Sequence, residues 1–129
     1  MIEYEVVENH PNLMCDELKD IYFDINDKII IYHRLPFRLF ETSRTIGRQK
    51  YLKEKGYTKT MDSKHIPNTF GKCEAFDVVM YMNNKPTWDN KYKYYYDFLG
   101  TSVLEKWNDK IRWGGNFLGF YDGCHFELK

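Results

Sequence analysis

The run Ala75-Phe76-Asp77-Val78-Val79-Met80-Tyr81-Met82 is of strand length, apolar throughout except for one carboxylate. Such a run, without polar alternation, predicts a largely buried strand covered on both faces, so its neighbours in sequence decide the architecture. Upstream, Leu18, Ile21, Tyr22, Ile25, Ile29 and Tyr32 recur at the spacing of one helix face, which predicts an amphipathic helix from Asp16 to about His33, stopped before Pro36. Phe37 to Phe40 reads as a short strand, and Ile46 to Lys55 as a helix ended by Gly56. Downstream, Asn83 to Asn90 reads as a loop and Tyr92 to about Lys110 as a second long helix with Tyr95, Leu99 and Val103 on one side. Gly114-Gly115, Gly119 and Gly123 predict turns around one last strand, roughly Cys124 to Leu128. The sum is a mixed α+β domain.

A chain of 129 residues, 43% hydrophobic and 18% aromatic, has the length and apolar content for one core, so a single domain over 1–129 is expected. The 19 basic and 19 acidic residues cancel, which removes any general attraction to nucleic acid or to an anionic membrane. Cys15, Cys73 and Cys124 are odd in number and lack a CxxC pair, and they read as reduced thiols. The opening MIEYEVVENH lacks the basic end and apolar run of a signal peptide, and no stretch approaches about 18 consecutive apolar residues. Synthesis in the cytoplasm, with no export signal and no stable membrane association, is therefore expected.

The chemistry concentrates on few residues. Of four histidines, His10 and His33 stand in no motif, whereas His65 and His125 have carboxylates within reach in sequence. Asp77 sits where burial of an unpaired carboxylate is costly, and a cation would remove that cost. His65, Asp77 and His125 would supply two imidazoles and one carboxylate, leaving the fourth position of a tetrahedral zinc ion open, the plan of a catalytic site. Asp122, three positions before His125, would place a base beside a ligand. A plainer reading stands beside this one: His65 as a loop residue and Asp77 as an ion-paired aspartate. Cys124 is a soft donor next to His125, but adjacent strand residues face opposite ways, so it is expected to pack inward.

Ser63-Lys64-His65, then Gly71, then Ala75-Phe76-Asp77-Val78, resembles the SxHxxGxAxD signature of the zinc D-alanyl-D-alanine carboxypeptidases and L-alanyl-D-glutamate endopeptidases. Asp122-Gly123-Cys124-His125-Phe126-Glu127-Leu128 resembles their DxxH motif in the HFEL form of phage endolysins. Phe40 to Thr45 with Gln49 and Gly56, and Trp113-Gly114-Gly115, resemble further family segments, so the likeness spans roughly Leu18 to Leu128. The interval from His65 to Asp77 is longer than the family's, with residues 66–73 forming an enlarged loop; Glu74 is the lesser alternative to Asp77 as ligand.

The resemblance implies a small domain of the hedgehog/DD-peptidase kind, an antiparallel sheet packed with helices, holding one zinc ion on His65, Asp77 and His125. It implies Asp122 as the base and Arg44 as the group that stabilises the oxyanion or holds a substrate carboxylate. Ser63 would orient the substrate or His65, and Trp113 would wall the pocket, though either can be structural. The expected activity is hydrolysis of peptidoglycan stem peptides by a monomeric, endolysin-like L-alanyl-D-glutamate endopeptidase that reaches the cell wall after release. A D-Ala-D-Ala dipeptidase or carboxypeptidase, or a non-catalytic zinc module that binds a peptide, are the alternatives.

Overall fold

The structure, a computed structural model, describes residues 5–129. Residues 1–4, the head of the acidic opening segment and of the expected domain, lie outside the described residues. Helix α1 runs over Asp16–Ile25 and continues as a π-helical segment, Asn26–Ile31. Strand β1 is Phe37–Glu41, helix α2 Ile46–Glu54, and strand β2 Ala75–Met82. Strand β3 is Lys85–Thr87, helix α3 Lys93–Trp107, β4 Ile111–Trp113 and β5 His125–Leu128.

The strands form one antiparallel sheet in the order β1-β2-β5-β4, with β3 paired to the far end of the β2 edge that also carries β5. The buried β2 run is thus the middle of the sheet, as its apolar content requires. Phe76 faces the helices, where Tyr22 of α1 meets it edge-on at 5.3 Å and Phe126 of β5 stacks on it at 5.5 Å. Asp77, the next residue, faces the other way. Between Leu39 and Glu41 the β1–β2 register shifts, and this irregularity sets Glu41 opposite Asp77.

The sequence-based boundaries change at four places, each for a local reason. The first helix does not stay α-helical to His33: the wider π turns shift its phase, so Ile29 and Ile30 are buried while Tyr32 is 75% exposed. Arg34, at φ 54, ends it. Asn83-Asn84, at φ 52 and 64, forms the tight turn of a hairpin rather than an open loop, and so creates β3; Pro86 is tolerated there because β3 lies at an edge. The last helix stops at Trp107 and presents Tyr96, Leu99, Gly100 and Val103 inward, leaving Tyr95 exposed, and the residues after it form β4.

Gly100 is where α3 approaches the sheet most closely. A Cβ there would lie 2.1 Å from Trp113 Cε2, and that indole is held by a 2.8 Å hydrogen bond from its Nε1 to the Gly123 carbonyl. In an open helix Gly→Ala stabilises by roughly 1 kcal/mol. Here the sign should reverse: Gly100→Ala is expected to destabilise by about 1–3 kcal/mol, read as a lower urea midpoint at unchanged slope.

Candidate metal centre

The side of the sheet away from α1 and α3 carries a row of charge across three strands. Glu41 on β1, Asp77 on β2 and His125 on β5 are register partners, and Glu127 shares His125's face. All four are buried. His65 joins them from a turn that is tied down along its backbone. Ser63 Oγ accepts the His65 N–H at 3.2 Å, and the Arg44 N–H donates to the His65 carbonyl at 2.8 Å.

The enlarged loop does not disturb this arrangement. The Glu74 N–H donates to the Lys64 carbonyl at 2.8 Å, so the chain returns next to where it left. The excursion is closed by the Asn68 side chain, which accepts from the Phe70 and Lys72 N–H groups at 2.9 and 3.1 Å and donates to Glu74 at 3.2 Å. Glu74 is therefore engaged by the loop, and Asp77 is the carboxylate that faces the imidazoles.

Asp77 Oδ1 lies 3.2 Å from His65 Nε2 and 3.1 Å from His125 Nδ1, and one ligand atom from each of the three residues falls within 4.8 Å of the others. The outer nitrogens of both rings are engaged. His65 Nδ1 donates to the Thr42 carbonyl at 2.7 Å, and His125 Nε2 donates to Glu127 Oε1 at 2.7 Å. A neutral imidazole has one N–H, so each ring then turns a lone pair toward a carboxylate oxygen. Three facing lone pairs repel unless a proton or a cation lies among them. This orientation of the rings by outer acceptors is that of metal-ligating histidines, and the donor set fits a borderline cation such as zinc.

The surrounding charges fit as well. Arg44 donates from Nη1 to Gln49 at 2.8 Å and from Nη2 to Glu41 at 2.7 Å, and Nη2 lies 3.8 Å from Asp77 Oδ2. The Arg44 pair thus balances the Asp77 oxygen turned away from the imidazoles. Its Nε is buried and has no partner among the described residues. Arg48 also bonds Glu41 through Nε, so Glu41 anchors both guanidinium groups. Burial acts to raise the Asp77 carboxyl, but His65 and His125 outweigh it and hold the group well below the usual carboxylate range. Burial acts to lower His125, and its bonds to Asp77 and Glu127 instead raise it to about 10.

Asp122 lines the same cleft of about 1510 Å³ as His65, Asp77, His125, Arg44 and Ser63. Burial, then the negative Asp77, push its carboxyl above the ordinary value. Cys124 is buried, yet it also lines this cleft rather than only packing inward, and its thiol donates to Asp122 Oδ1 at 3.4 Å. Trp113 lies elsewhere: it is buried against α3 and is not among the cleft's lining residues, whose aromatic side chains are Phe40, Tyr51, Tyr57, Trp88, Phe117 and Phe120. Thr42, Glu41, Arg48 and Glu127 were not singled out in the sequence. Glu41 and Thr42 lie in the Phe40 to Thr45 stretch that carries the resemblance, and Glu127 is an acid two residues after a histidine on a strand.

The fold that carries this centre is a small α+β domain, an antiparallel sheet packed with helices. It is similar to that of the L-Ala D-Glu endopeptidase ChiX of Serratia marcescens, with a TM-score of 0.69 and 23% identity, covering 92% of this chain and 83% of that one. No protein-family model matches the sequence, and no curated protein matches it.

The raised His125 value sets a pH dependence for protein stripped of metal. Its contribution to stability is fully present below the unfolded histidine value of about 6.5 and is lost as pH rises through about 10. The urea midpoint of chelator-treated protein is therefore expected to fall between pH 7 and 10. With zinc bound the ring carries no such proton, and the midpoint should change little over that range.

Proposed function

We propose that this chain is a zinc peptidase that hydrolyses peptidoglycan stem peptides, as an endolysin-like L-alanyl-D-glutamate endopeptidase. The observation that carries the reading is the convergence of His65, Asp77 and His125 with Asp122 in one cleft. The fold shared with an L-Ala D-Glu endopeptidase supports the choice of bond.

His65 Nε2, Asp77 and His125 Nδ1 would hold the ion. When bound, zinc supplies Lewis-acid polarisation of the scissile carbonyl and lowers the pKa of water from about 15.7 toward about 7. Asp122 is the base: its raised carboxyl accepts the proton of the attacking water and passes it to the leaving amine. Arg44 spends one N–H of Nη1 on Gln49 and one of Nη2 on Glu41, which fixes its guanidinium at the edge of the cleft, where it would stabilise the oxyanion or hold a substrate carboxylate. Phe40, Trp88 and Phe117 give the cleft apolar walls beside the reacting groups.

Digestion of purified peptidoglycan followed by mass spectrometry tests the reading. New N-terminal D-Glu is expected; released D-Ala would identify a carboxypeptidase instead. Asp122→Asn should retain zinc and lose about 10²–10⁴-fold in kcat. If wild type and Asp122→Asn bind stem peptide equally and neither cleaves it, the chain is a binding module.

A further inference from the structure

We propose that Glu127, which is not itself a ligand, is the positioning residue that makes His125 a metal ligand through Nδ1. The two residues alternate on β5 and so share a face. His125 stands opposite Asp77 in register, with Nδ1 3.1 Å from the carboxylate, while Glu127 Oε1 holds Nε2 at 2.7 Å. The ring is therefore gripped at both nitrogens. Turning it over about its Cβ–Cγ bond would take Nδ1 away from Asp77 and break the Glu127 bond in the same motion.

The neighbours leave Glu127 Oε1 to this task. Across β2 its register partner is Ala75, which has no polar side chain to compete. Across β4 the partner is Arg112, half-exposed, and it approaches the other oxygen, Oε2, at 3.6 Å. Glu127 is largely buried at the edge of the cleft, and its Oε1 is the placed acceptor for Nε2–H. What matters is an acceptor at the right reach. An aspartate keeps the charge but is one methylene short, whereas a glutamine keeps the reach and an acceptor oxygen while losing the charge.

This inference rests on the zinc reading of His65, Asp77 and His125, and zinc affinity measured by competition with a chromophoric chelator tests it. Glu127→Ala and Glu127→Asp are expected to weaken zinc binding by about 10–100-fold, Glu127→Gln by only a few-fold, and Arg112→Met hardly at all. In the zinc-loaded protein the exchange-protected Nε2 proton of His125 should be visible by NMR in wild type and Glu127→Gln and lost in the shortened variants. Zinc affinity like wild type in either shortened variant overturns the proposal. So does a loss in Glu127→Gln equal to that in Glu127→Ala, because charge and not a placed acceptor then carries the effect. Wild-type protein that takes up no zinc overturns both this inference and the metal reading beneath it.

Discussion

A carboxylate buried in the middle strand, with an imidazole on either side of one of its oxygens, is the constraint that the other parts of this molecule serve. Asp77 would be costly to bury alone, and His65 and His125 do not relieve the cost while neutral, because each directs a lone pair at it. Positive charge has to enter. In protein without metal the proton on His125 supplies it, which is why that ring binds its proton so tightly. A divalent ion on the proposed site would supply it better, since it would satisfy all three donors together. Metal affinity and folding stability then draw on the same repulsion, and a ligand that binds only the folded chain stabilises it by mass action.

The sheet keeps this charged arrangement separate from the core. On β2, Phe76 and Asp77 are adjacent and face opposite ways, and each continues into a row across the strands: Phe126 beside Phe76, His125 and Glu41 beside Asp77. One side is dry and aromatic, packed by α1 and α3. On the other, every buried charge has a partner of opposite sign or a hydrogen bond, with Glu41 holding Arg44 and Arg48 at the end of the row. Slipping β5 by one residue would exchange the two rows, burying His125 against the helices and exposing Phe126. Register is thus fixed by core and site together.

The parts of this arrangement that were legible in the sequence are those set by local pattern. The apolar run of β2 with its lone acid marked both the central strand and a candidate ligand, and His65, His125 and Asp122 stood out because histidines are few and two of them lie near acids. What escaped depended on partners far along the chain. Thr42 holds His65 through a backbone carbonyl, which no side-chain pattern reveals. Glu41 acquires its place opposite Asp77 only through the shifted register of β1. The exposure of Tyr32 follows from a π turn, and β3 from two asparagines at positive φ, both backbone choices that propensity describes poorly.

Trp113 shows how a residue can serve a site without touching it. It lies under α3, where Gly100 leaves room for its ring, and its Nε1–H fixes the Gly123 carbonyl in the turn that ends at His125. The next residue, Gly114, lies so near the same turn that a Cβ would come within 2.2 Å of the Asp122 carbonyl oxygen, and its own carbonyl accepts the Asp122 N–H at 3.0 Å. The Asp122 carbonyl in turn accepts the His125 N–H at 3.1 Å. The proposed base and a ligand are thus set relative to each other by backbone contacts that require a glycine on one side and a tryptophan anchored in the core on the other. Of the two roles the resemblance leaves Trp113, pocket wall or structural residue, the fold gives it the structural one, and the Trp-Gly-Gly stretch links the packing of α3 to the position of a carboxylate in the cleft.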